Sequence, residues 1–211
     1  MILSGELEMR KLALNSIIIL TLTTFLAAMA SPVKVKITDI QSKSKDPADQ
    51  YIEGELTKDS KFFIDRDYLI VAVPEGFEGM QTIMAANDDK KQAGTDFLSF
   101  TVDKDVDVYV ALDSRADEEK GGTPPTWLVE GFEKQVKDGE PVAVETTDGG
   151  MVTVNLWKSS FKAGTITLGG NGEGSAGAGS NYFVILTGQS TGASVDAKSK
   201  LSTTWANIKS N

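Results

Sequence analysis

The chain has 211 residues, a formal charge of −9, and neither cysteine nor histidine. Without cysteine there are no disulfides, thiol nucleophiles or thiolate metal sites, and without histidine the commonest general base and transition-metal ligand are gone. The acidic balance argues against a nucleic-acid partner and, less strongly, against a polyanionic one.

Residues 1–30 read as an export signal. Arg10 and Lys11 form a short basic region, residues 12–29 are mostly apolar, and Ala28-Met29-Ala30 fits the small-x-small pattern for cleavage before Ser31. The alternative is an uncleaved anchor, since the apolar run is near the lower limit for spanning a bilayer. Export without cysteine fits a secreted, periplasmic or cell-surface bacterial protein, and the membrane is met only through this segment before cleavage.

Val33-Lys34-Val35-Lys36-Ile37 alternates and predicts a first strand; residues 41–50 predict a polar loop and residues 51–56 a second strand. Phe62-Phe63-Ile64 and residues 68–73 are strongly strand-forming, and Pro74-Glu75-Gly76 stops the run. Residues 77–86 fit a strand leading into Asn87-Asp88-Asp89.

Residues 102–113 carry the longest clean two-residue alternation. Val102, Val106, Val108, Val110 and Leu112 share one face; Asp103, Asp105, Asp107, Tyr109 and Asp113 share the other. This predicts one central strand with an apolar inner side and a wet outer side. A long charged loop follows, then a helical turn at Trp127-Leu128-Val129. Residues 141–146 and 151–157 flank Thr147-Asp148-Gly149-Gly150 as a hairpin. Residues 165–168 predict another strand. Residues 169–180, rich in Gly, Ala and Ser, predict a flexible loop with little to bury. Tyr182-Phe183-Val184-Ile185-Leu186-Thr187 is apolar enough for a central last strand.

Short strands at this spacing, joined by Gly/Pro turns, predict an all-β antiparallel sandwich of the jelly-roll kind over residues 31–189. Residues 190–211 form a polar tail, where Leu201, Trp205 and Ile208 have the spacing of a short amphipathic helix.

A series of short motifs runs through this domain. In order it comprises Asp65-Arg66-Asp67-Tyr68, Ala86-Asn87-Asp88-Asp89-Lys90, Phe97-Leu98-Ser99-Phe100, the stretch from Val108 through Tyr109 to Arg115, Pro125-Thr126-Trp127-Leu128, Phe161-Lys162-Ala163-Gly164, Leu168-Gly169-Gly170-Asn171 and Asn181-Tyr182-Phe183-Val184. The series resembles a β-sandwich accessory module of secreted bacterial proteins, often found beside polysaccharide-degrading or sugar-binding domains. The resemblance implies a non-catalytic module linked to carbohydrate. No enzyme domain accompanies it in this sequence, so targeting a neighbouring catalytic domain is not the expected role.

Asp113 and Arg115 end the central strand. Together they suit either a sugar diol or an ion pair that pins the next loop, and such ion pairs are often structural. Trp127 is either a stacking face for a pyranose or a plug for the core. Trp157 alternates against Val152, Val154 and Leu156. It is therefore expected on the outer face, with Tyr109 nearby, as an exposed aromatic pair. Asp103, Asp105 and Asp107 fail the calcium-loop pattern at Val108 and Ser114 and read as a solvated face. Asn87, Asp88, Asp89 and Asp96 are the better Ca2+ candidates, against an ordinary turn-capping role. No cofactor is otherwise expected. The expected function is non-catalytic binding of a neutral polysaccharide or glycan. The alternatives are a structural or adhesive envelope protein that binds another protein, and a carboxylate glycosidase, for which no pair of acids stands out.

Overall fold

The computed structural model describes residues 31–174, 177 and 179–189. The expected export signal and the expected tail helix lie outside the described residues. Among the described residues thirteen strands and one α-helix follow in order: β1 Ile37–Ser42, β2 Ile52–Glu55, β3 Ile70–Ala72, β4 Gln81–Met84, β5 Leu98–Val102, β6 Val106–Asp113, α1 Thr126–Gly131, β7 Glu133–Lys134, β8 Val136–Lys137, β9 Glu140–Pro141, β10 Ala143–Thr146, β11 Thr153–Phe161, β12 Gly164–Leu168 and β13 Phe183–Gly188. Among the described residues no helix is long and apolar enough to cross a membrane.

Eleven of these strands build an antiparallel, sandwich-like pair of sheets, and β8 and β9 form a separate two-stranded ribbon. The large sheet runs β2-β4-β13-β6-β11-β10-β3, with β7 added to β11; the small one runs β1-β5-β12. Successive strands cross between these two sheets at β1–β2, β4–β5, β5–β6, β11–β12 and β12–β13, the exchange that a jelly roll makes at its corners.

Residues paired across a ladder share a face. Val110 pairs with Trp157 and Val184; Tyr109 pairs with Lys158 and Ile185. Both sets are largely buried, so the middle of the large sheet is covered on both sides. On the Tyr109 side, Phe77 meets Tyr109 edge-on at 4.9 Å and Phe62 lies 5.1 Å from Phe183. The small sheet keeps a plain alternation: Leu98, Phe100 and Val102 are buried, while Ser99 and Thr101 are partly exposed. Two covered faces explain why β13 reads as a nearly continuous apolar run, and why its expected central place is correct.

The structure corrects several expectations. The alternation over residues 102–113 is two strands in different sheets, not one. The corner between them is held by its aspartates: Asp103 accepts from Lys36 N, and Asp105 accepts from Ala163 N and Lys162 Nζ. Because the turn keeps the alternating pattern, periodicity passes over it. The first strand begins at Ile37 and takes in Gln41 and Ser42, which the sequence places in a loop. Val33-Lys34-Val35-Lys36 instead lies along the fold, where the Gln81 amide bonds Val35 N and O and Gly188 N donates to Val33 O. Phe62-Phe63-Ile64 forms no strand; Phe62 and Phe63 are buried, and the only pairing there is an isolated bridge from Phe63 to Ala85 and one from Lys61 to Leu69. The glycine-rich segment also contributes to the interior, for Gly169, Gly170, Asn171 and Ser180 are buried.

Candidate functional site

The loops after β6 hold most of the residues of interest. Asp113, the last residue of β6, is wholly buried rather than part of a wet face. Its carboxylate accepts from Arg115 Nε at 3.0 Å, Arg115 Nη2 at 2.6 Å, Arg115 N at 2.9 Å and Ser180 N at 3.0 Å. The Arg115 side chain remains 45% exposed. Its pKa rises further, mainly through the bond to Asp113, with smaller help from Asp148. This is a pin that ties the end of β6 to the chain entering β13. The oxygens of Asp113 are turned inward, so a ligand at this loop would meet only the outer side of the Arg115 guanidinium.

Trp127 sits in α1 behind Pro125. Its Nε1 donates to Gly170 O at 2.9 Å, and its ring meets Phe132 and Tyr182 edge-on, each at 5.8 Å. The indole is half-buried against the core. Trp127 and Asp113 hold opposite ends of one glycine-rich segment, at Gly170 and Ser180, and no described bond joins them to each other.

Trp157 is a correction. It is 9% exposed and shares its face with Val110 and Val184, not with Tyr109. The alternation sets Val152, Val154 and Leu156 facing inward, but Val152 is exposed and lies before β11, while Val154 and Leu156 are buried. Both sides of β11 are covered here, and β7 pairs with it at Trp157. Tyr109 is likewise buried, with Lys158 Nζ 5.7 Å from its ring centre. The two therefore form no exposed aromatic pair.

The four Ca2+ candidates bond to separate neighbours rather than converging. Asn87 Oδ1 accepts from Asn181 N, Asp88 pairs with Arg66, Asp89 accepts from Tyr51 Oη and Lys45 N, and Asp96 pairs with Lys43. Among the described residues no acidic group has the geometry to hold a metal ion. Burial, then Asp89, pushes the Tyr51 phenol far above its ordinary value, so it stays protonated as the donor.

A second polar network was not read from the sequence. Asp117, 1% exposed, accepts from Asn155 Nδ2 and bonds Lys134 Nζ at 3.1 Å; Lys134 also reaches Glu119 at 2.9 Å. Burial lowers the Lys134 pKa, but the bonds to Glu119 and Asp117 outweigh it and leave the ammonium more firmly protonated than usual. Beside them Lys120 Nζ and Thr153 Oγ1 both donate to Ser114 Oγ. An open groove of about 370 Å³ lies here, lined by Glu119, Lys120, Glu140, Pro141, Ala143, Thr153 and Asn155. The one sequence signal was Asn155, an amide set within the apolar run Val154–Trp157. A polar side chain in a covered strand needs a partner, but nothing in the sequence names Asp117 as that partner.

No protein-family model matches the chain, and no curated protein matches it. Among solved structures it is similar to part of a β-glucuronidase from glycoside hydrolase family 2, with a TM-score of 0.57 and 16% identity. The overlap covers 71% of this chain and 14% of the glucuronidase. A GH138 enzyme targeting pectin rhamnogalacturonan II overlaps more loosely, with a TM-score of 0.42, 17% identity, and 76% and 18% of the two chains covered. The chain is thus a β-domain similar in fold to a portion of the glucuronidase, and it spans only 14% of that enzyme's length.

Proposed function

We propose that this protein is an exported, non-catalytic β-sandwich that binds a neutral glycan. The observation that carries the reading is the sandwich itself, which follows a segment of a β-glucuronidase over 71% of its length. Its grooves are open, two of them lined mainly by polar groups and the one beside Asn155 by a mixed surface, as suits an extended sugar chain more than a buried metabolite. The net charge of −9 disfavours sulfated or uronic ligands. A glycosidase needs two acids poised across a cleft, one of them protonated. Glu119 and Glu140 do share a groove, but Glu119 is ion-paired to Lys134 and 68% exposed, a poor setting for a proton donor. An adhesive role would call for a broad apolar patch. The exposed large apolar residues Ile52, Val71, Val129, Val136 and Val152 are instead spread over separate elements.

A glycan array probed with the full chain tests the reading. Binding to neutral polysaccharides that changes little with added salt supports it, because neutral hydrogen bonds and stacking are poorly screened. Binding confined to sulfated or uronic glycans, or no binding at all, overturns it. Export is tested by intact mass: a chain starting at Ser31 outside the cytoplasm supports it, and retention of residues before Ala28 overturns it.

A further inference from the structure

We infer that the groove between the turn Glu118–Lys120 and strands β9 to β11 takes adjacent hydroxyls of a neutral sugar. The inference rests on the glycan-binding reading and moves the contact away from Arg115 and Trp127, both of which are committed to holding loops.

Three features single the groove out. First, its polar groups converge from separated parts of the chain: Glu119 and Lys120 from the turn, Glu140 from β9, Thr153 and Asn155 from β11. Second, they are pre-set. Asn155 is 5% exposed and its amide is fixed by Asp117, while Thr153 and Lys120 are fixed on Ser114 Oγ. Groups held before a ligand arrives lose little freedom on binding. Third, the carboxylate that anchors Asn155 from behind the groove, without lining it, is not saturated: Asp117 Oδ1 has no hydrogen-bond partner among the described residues. A buried carboxylate with one oxygen unmatched is rare in a purely structural network.

The chemistry favours a diol. A sugar hydroxyl both donates and accepts, and the groove offers carboxylates to receive a hydrogen bond and an ammonium to give one. Pro141 and Ala143 supply a small apolar floor, suited to the C–H face of a ring. Lys120 and Lys134 stand against Asp117, Glu119 and Glu140, so the surroundings hold no surplus of positive charge for an anionic sugar.

Calorimetric titration of the full chain with cellohexaose, laminarihexaose, xylohexaose and mannohexaose tests this. Lys120→Ala and Glu140→Ala should each weaken binding of the best hexasaccharide about 3- to 10-fold, the worth of one hydrogen bond. Thr165→Val, on the outer face of the small sheet, should leave it unchanged. Asn155→Ala should abolish binding; should it also unfold the protein, the two exposed variants still decide. Unchanged binding in both groove variants, or an equal loss in Thr165→Val, overturns the groove while the glycan reading stands. A wild-type chain that binds none of the four sugars, and nothing on the array, overturns both.

Discussion

Arg115 grips Asp113 from two residues away, with Nε on one carboxylate oxygen at 3.0 Å and Nη2 on the other at 2.6 Å. The carboxylate is buried and the guanidinium is nearly half in water. Removing one partner of a buried ion pair commonly costs about 3–5 kcal/mol, because the other charge is stranded. Here two main-chain N–H groups stay on the carboxylate and solvent reaches the arginine. Arg115→Met should therefore cost nearer ~2 kcal/mol. Asp113→Asn combined with Arg115→Met should lose less than the sum of the single losses. Urea denaturation of the four proteins in a double-mutant cycle measures this, and additive losses would show that the pair is not coupled.

Trp127 is held by glycines as much as by aromatic neighbours. A Cβ on Gly169 would lie 2.4 Å from Trp127 Cδ1, and one on Gly170 would lie 2.2 Å from Gln92 O. The indole can shift a little, whereas the main chain at Gln92 cannot, since its carbonyl also accepts from Gly172 N at 2.7 Å. Gly170→Ala should accordingly lower the melting temperature more than Gly169→Ala. Trp127→Ala should cost about 2–3 kcal/mol, less than the ~3–5 kcal/mol of a fully buried ring, because the indole is only half-buried. A Trp127→Ala protein that melts like the wild type would return the indole to the role of a stacking platform.

The layered sheets and the central strands β6 and β13 were legible because apolar patterning is a direct trace of burial. The same pattern failed at two kinds of place. At Asp103 to Asp105 the chain turns between sheets without breaking its alternation, because aspartates that bond neighbouring main chain look like a solvated strand face. At Trp157 the alternation implied an outer side, but the register of β11 against β6 sets the indole beside Val110, on the face of the central valines. The ion pair of Asp113 and Arg115 was legible as a pair; its burial was not. The network of Asp117, Lys134 and Asn155 was invisible, since its three members come from a loop, an added edge strand and a core strand. Such a meeting is made by topology and leaves no spacing to find.

The corner between β5 and β6 gives a sharp comparison. Val110→Asp places a carboxylate at a fully buried position between Trp157 and Val184 and should prevent folding. Asp105→Ala reads as silent from a solvated face, yet Asp105 receives the Ala163 N–H at 3.1 Å and the Lys162 ammonium at 2.7 Å, across the corner where β11 passes into β12. A small but measurable fall in melting temperature should result, and Asp105→Asn, which keeps an acceptor, should recover part of it. A melting temperature for Asp105→Ala equal to that of the wild type would show that the corner does not depend on this side chain.

Asp107 should mark the acid limit of stability. Burial pushes its carboxyl up, but bonds from Lys158, Ser160 and Gln189 outweigh burial and hold it below the ordinary value of 3.8. The distances are 2.8 Å from Lys158 Nζ, 2.7 Å from Ser160 Oγ and 2.8 Å from Gln189 Nε2. As pH falls, the unfolded chain takes up this proton first, at about the ordinary carboxylate value, while the folded chain resists. Stability from Asp107 is therefore complete above that value, declines below it, and is gone once pH has fallen through the lower folded pKa. Replacing the carboxylate with Asn should remove this dependence. Melting temperatures of wild type and Asp107→Asn, followed from pH ~6 to ~2, should differ most at the upper end and converge at the lower, since protonation then removes in the wild type what the substitution removes outright. A gap that stays constant over the whole range would mean that Asp107 stabilises the sheet by shape and neutral bonding, and that its charge on Lys158 contributes nothing.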